Sequence, residues 1–107
     1  MNDNFTCIYK ILRALEKAMD CTEFDLSQID HTTLEVSKER WAKYIEMMCD
    51  VGYIKGVRIY ENVYDEICVE DNGIRITLKG LEYLSENTIM QRMYKTAKGV
   101  KDLIPLP

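Results

Sequence analysis

The sequence predicts a mainly helical α+β domain, and three observations carry that prediction. Apolar residues recur at helical spacing in two long segments, 4–19 and 37–51. The period changes to two from Tyr53 to Tyr60 and again from Glu66 to Val69. An Asn72-Gly73 pair flanked by alternating apolar residues signals a hairpin. One compact domain accounts for the chain, since 107 residues, 47% hydrophobic, with 5 Gly and 2 Pro, suit a single core. The apolar fraction excludes disorder as the main state. No apolar run approaches the ~18 residues of a membrane span, and Met1-Asn2-Asp3-Asn4 lacks the basic-then-apolar pattern of a signal peptide. The expectation is a soluble, cytoplasmic protein with no membrane partner.

Taken in order, Phe5, Ile8, Tyr9, Leu12, Leu15 and Met19 form one helical stripe, with Asp3 or Asn4 as its cap. Residues 20–36 are polar and broken up, with a short helical turn around Leu26–His31. Asp20, Asp25 and Asp30 mark caps and turns there rather than a carboxylate site. Ser37 caps a second long helix with Glu39 in its first turn, and Trp41, Tyr44, Ile45, Met48 and Val51 form its apolar stripe. Gly52 falls where a helix end wants a left-handed residue. The run from Tyr53 to Tyr60 is a strand, Glu66–Val69 a second, and Ile74–Ile76 a strand returning after an Asn72-Gly73 turn. Thr77 then caps a helix from Leu78 to Glu86 with Leu81 and Leu84 inward. Thr88-x-x-Gln91 has the form of a capping box, opening a last helix with Ile89, Met93, Ala97, Val100 and Ile104 as its stripe.

This order is the layout of a winged helix-turn-helix spanning 4–87, with a β-hairpin wing and an added C-terminal helix over 88–104. The resemblance narrows further. Gly52-Tyr53-Ile54-Lys55-Gly56-Val57, then Ile76-Thr77-Leu78-Lys79-Gly80-Leu81-Glu82-Tyr83-Leu84-Ser85-Glu86-Asn87, and Tyr94-Lys95-Thr96-Ala97-Lys98-Gly99, resemble the YjcQ-like family. These are small winged-helix proteins of phages, prophages and Gram-positive bacteria. The likeness covers the last two-thirds of the chain; the first third agrees in layout alone. It implies a fold and a phage-type setting, and brings no activity or catalytic residues.

Function has to be weighed from the residues themselves. The four cysteines, Cys7, Cys21, Cys49 and Cys68, form no Cys-x-x-Cys pair and no zinc spacing, and are expected as small buried hydrophobes in a reducing compartment. His31 is the one histidine. With no Cys-His pair, phosphate loop or metal set, the sequence points to no enzyme, no metal and no cofactor. The net charge of −4 alternates in blocks: −4 over residues 1–36, +2 over 37–58, −5 over 59–87 and +3 over 88–107.

Two partners fit. Duplex DNA is one, read by a helix in the major groove and held by phosphate contacts. Its candidate residues are Ser37, Lys38, Arg40 and Lys43 on the helix, and Lys55 and Arg58 at the wing, with Arg92, Lys95, Lys98 and Lys101 tracking backbone. The face opposite Trp41 holds Glu39, Lys43, Glu46 and Asp50, so DNA contact belongs to the start of the helix and the wing. An ordinary solvated surface explains the same basic residues equally simply. The other partner is a protein, or a second copy in a homodimer, met through Thr88–Ile104 by an adaptor that binds no DNA.

Overall fold

The computed structural model describes residues 3–87. Helix α1 spans Asn4–Lys17 and α2 His31–Leu34; α3 spans Lys38–Asp50, β1 Ile54–Glu61 and β2 Ile67–Ile76. Residues 78–87 are helical and form α4. Two 3₁₀ turns, Ala18–Asp20 and Leu26–Ile29, join α1 to α2. The result is an α+β fold with an antiparallel β-hairpin, consistent with a winged-helix layout. The added helix expected over 88–104 lies outside the described residues.

Local chemistry sets most boundaries. The Asp3 carboxylate accepts the Thr6 N–H at 2.7 Å and starts α1. Asp25 accepts from Ser27 at 3.0 Å and Asp30 from Thr33 at 2.9 Å, so two of the three suspected turn aspartates are helix caps. The Ser37 hydroxyl accepts the Arg40 N–H at 3.1 Å. At the far end of α3, Gly52 is left-handed, the Tyr53 N–H reaches the Met48 carbonyl at 2.8 Å, and the Gly52 N–H reaches Cys49 at 3.1 Å. That pair of bonds is a Schellman stop.

The core joins Cys7, Ile11, Leu12 and Leu15 of α1 to Ile29, Leu34, Trp41, Ala42, Tyr44, Ile45 and Met48. Ile54, Ile74 and Ile76 close it from the hairpin, and Leu84 from α4. The Trp41 indole N–H donates to the Ile29 carbonyl at 2.5 Å, tying α3 to the turn before α2.

Several sequence expectations change. In α1 the expected stripe holds at Leu12 and Leu15, which are buried, with Ile8 and Tyr9 packed against the core, but the buried face also takes in Cys7 and Ile11 and leaves out Phe5 and Met19. Phe5 lies about 120° around the helix from Ile11 and is 70% exposed. Met19 sits beyond the end of α1, in the first 3₁₀ turn, and Val51 closes α3 past its buried face; both are exposed. Of the four free cysteines only Cys7 is buried; Cys21 is exposed, and Cys49 and Cys68 are partly so.

The largest correction concerns the hairpin. Asn72-Gly73 is not its turn. Strand β2 runs from Ile67 to Ile76 and pairs with β1 on both sides of Asn72-Gly73, from Glu61↔Ile67 to Val57↔Asp71 and again at Lys55↔Arg75 and Ile54↔Ile76. The turn is at 62–66, where the Asn62 side-chain oxygen accepts the Tyr64 and Glu66 N–H groups at 2.8 and 3.1 Å. Gly73 serves a bulge. The register slips between Lys55↔Arg75 and Val57↔Asp71, setting Gly56 against three residues of β2. Asp71 accepts the N–H groups of Gly73 and Ile74 at 2.9 and 2.8 Å, amides that the broken ladder leaves over. Gly56 has φ +85°, and a Cβ there would lie 2.1 Å from the Gly73 carbonyl oxygen. No other residue type fits both demands.

Candidate nucleic-acid interface

The two ends of α3 differ in charge. Lys38, Glu39, Arg40 and Lys43 occupy its first two turns, and all four are exposed. Glu46 and Asp50 occupy the exposed side of its last turns. Trp41, Tyr44, Ile45 and Met48 turn inward, so the outward face is the one the periodicity assigns.

The six residues singled out from the sequence do not form one cluster of free cations. Ser37 is spent on the cap of α3. Lys38 and Lys43 are exposed and carry no ion pair among the described residues. Arg40 is exposed but tethered to α1: its guanidinium donates to the Asn4 side-chain oxygen at 2.8 Å and lies 3.5 Å from the Tyr44 hydroxyl. Tyr44 donates to the same Asn4 oxygen, so one amide of α1 gathers two side chains of α3. Lys55 is exposed near the base of β1. Arg58 pairs with Glu70 across the hairpin at 3.0 Å and stacks 4.5 Å over the Tyr60 ring. An exposed pair of this kind is worth little in stability, but the Glu70 carboxylate opposes the field Arg58 offers a phosphate.

Beyond Arg58 the hairpin is acidic. Glu61, Asp65, Glu66, Glu70 and Asp71 are all exposed, and no Lys or Arg stands between Arg58 and Arg75. The block charge over 59–87 held this signal without localising it. Its tip also exposes Val63 and Tyr64, at 89% and 78%.

Beside α3 lies an open groove of about 510 Å³ between the first turns of α1 and α3. Phe5, Ile8 and Met47 supply its apolar lining, and Glu39, Arg40 and Lys43 its charged lining. Sequence reasoning missed it because Phe5 was assigned to the α1 stripe, and nothing in the sequence places Phe5 beside Met47. A cleft of about 680 Å³ between the end of α1 and the β2 bulge is lined by Phe24, Glu23 and Asp71 among others. Among the described residues no three His, Cys, Asp or Glu side chains are placed to hold a metal ion, and no helix is long and apolar enough to cross a membrane.

With this geometry in place, comparison with known families decides the relationship. The family model described as YjcQ protein matches residues 9–103. The chain belongs to the YjcQ family. The match reaches back into α1, further than the last two-thirds that the sequence motifs marked, so the family pattern includes the helix that supplies Ile11, Leu12 and Leu15 to the core. No similar curated protein and no similar solved structure was found.

Proposed function

We propose that this YjcQ-family chain is a non-enzymatic winged-helix protein of phage or prophage type, with a regulatory role exercised by engaging duplex DNA through the first two turns of α3. The observation that supports the reading is the charge gradient along α3, basic from Lys38 to Lys43 and acidic at Glu46 and Asp50. A helix entering the major groove presents its N-terminal residues to the bases, which is the end that phosphate tolerates here. Lys38 and Lys43 supply phosphate contacts from the helix, and Lys55 adds one from the hairpin base. Ser37 and Arg40 shape the site: one fixes the start of α3, the other is positioned by Asn4. The acidic outer hairpin bars the wing tip from the backbone, so contact ends at Arg58.

The test is binding of the full chain to labelled random duplex at low and moderate salt. Three free lysines predict a log–log salt slope near −3, at about −0.9 per phosphate. Lys38→Ala and Lys43→Ala should each reduce that slope by about 1. No binding at low salt would overturn the proposal. A second reading, a protein-interaction adaptor, is favoured by the exposed Val63 and Tyr64 at the hairpin tip; such a chain would bind no duplex even at low salt.

A further inference from the structure

We propose that the hairpin tip is a docking element whose receptor is the groove between α1 and α3 of a second copy of this chain. The inference goes beyond the DNA reading and does not depend on it.

The tip is built to be held still. The Asn62 side-chain oxygen accepts two backbone amides, its amide nitrogen donates to Glu66 at 2.9 Å, and the Asp65 N–H reaches the Asn62 carbonyl at 3.0 Å. Asp65 accepts a left-handed backbone, with φ +62°, to close the loop. None of these bonds needs an apolar side chain at 63 or 64. Yet Val63 and Tyr64 stand there almost fully exposed. A rigid loop that presents a tyrosine loses little entropy on binding, and tyrosine is among the residues that most often dominate interfaces.

The groove complements the tip in two respects. Its lining is apolar and adaptable: Phe5 is 70% and Met47 49% exposed, and methionine repacks readily around an incoming ring. Its charged lining is net positive, Arg40 and Lys43 against Glu39, and the tip arrives with Glu61, Asp65 and Glu66 around it. The tip lies at the far end of the hairpin from its base at Ile54 and Ile76, and the groove is lined by α1 and α3 with no hairpin residue. Reciprocal docking gives two identical contacts, each of tip into groove. Burying roughly 150–250 Å² per aromatic residue makes this a small interface, below the ~1,200 Å² of stable complexes. The association is therefore weak, concentration-dependent and weakened by salt.

The experiment is sedimentation of the full chain over a wide concentration range, comparing wild type, Tyr64→Ala, Phe5→Ala and an equimolar mixture of the two variants. Far-UV circular dichroism checks that both variants fold, as expected for exposed positions. Wild type should self-associate reversibly, and each variant alone should lose at least about tenfold in affinity. The mixture should recover part of the association, because one of the two contacts, the intact tip of the Phe5→Ala chain in the intact groove of the Tyr64→Ala chain, is restored while the other carries both substitutions. A wild type that stays monomeric throughout, variants that associate like wild type, or a mixture no better than either variant alone would each overturn the proposal. So would a large loss of thermal stability in Phe5→Ala, since it would mean that the chain covers its own groove.

Discussion

Trp41 decides which face of α3 is available to a partner, so its replacement tests the functional argument at its base. The side chain is 5% exposed and lies within the main core cluster, and its indole N–H satisfies the Ile29 carbonyl. Trp41→Ala removes the largest side chain of the chain's core. Phe or Trp to Ala in such a setting costs about 3–5 kcal/mol, the spread depending on how far the cavity collapses. Part of that loss is the Ile29 carbonyl left without its donor, about 1–3 kcal/mol. Trp41→Phe isolates this part, because the ring still fills most of the space. Single domains of this size have about 5–15 kcal/mol in total, so Trp41→Ala should leave a marginal fold and Trp41→Phe a weakened one. Trp41 is the only tryptophan, so urea unfolding is followed by far-UV circular dichroism, with the transition slope checked for constancy. A loss below about 1 kcal/mol in Trp41→Ala would mean a solvent-facing Trp41. The inward stripe, the outward Lys38 and Lys43, and the interface built on them would then fail together.

Other expectations follow from particular contacts. Gly56→Ala places a Cβ at 2.1 Å from the Gly73 carbonyl in a left-handed backbone, so it should destabilise by more than about 2 kcal/mol in the same urea assay, while Lys55→Ala beside it stays within about 0.5 kcal/mol. Glu70→Gln frees Arg58 from its partner and should tighten duplex binding at low salt, whereas Arg58→Ala should weaken it less than Lys38→Ala does; equal losses from the two would remove the argument that Glu70 masks Arg58. Backbone N–H bonds from Thr6, Ser27 and Thr33 hold the carboxyls of Asp3, Asp25 and Asp30 below their ordinary range. A lowered folded-state pKa contributes stability that is fully present above the unfolded value and lost as pH falls through the folded one. Thermal stability should accordingly fall as pH drops below about 4, and Asp30→Ala should flatten that fall; an unchanged acid limb in Asp30→Ala would rule out the cap as its source.

Acidity along the chain bears on the kind of DNA contact available. The outer hairpin offers five carboxylates where a phosphate-tracking wing would carry lysine or arginine. The proposed nucleic-acid contact uses the start of α3, and the proposed protein contact uses the hairpin tip. The groove is where they meet, since Lys43 lines it and also faces outward from α3.

Features decided within a few residues were legible in the sequence. Ser37 and Asp30 cap the helices that follow them, Gly52 stops α3, and Thr77 starts α4 by accepting the Gly80 N–H at 3.1 Å. Each depends on an amide two or three residues away, and residue type alone settles such a contact. The inward face of α3 was equally readable, because a 3.6-residue period over 13 residues leaves one apolar side. The motifs also carried the family relationship, since its segments lie in continuous stretches.

What only the tertiary structure decided are contacts between residues far apart in the chain. Asn72-Gly73 has the chemistry of a tight turn, and the same left-handed glycine serves a bulge equally well; the choice fell to the pairing of 57–61 with 67–71, which leaves the surplus opposite Gly56. Arg40 and Arg58 look like free cations until Asn4, 36 residues away, and Glu70, across the hairpin, are placed beside them. Phe5 and Met47 belong to separate helical patterns and share a surface only once α1 lies against α3. Local hydrogen bonding and periodicity act over one turn and can be read directly from the sequence. The neutralisation of a charge or the making of a groove depends on which elements pack together, and that is settled by the core as a whole.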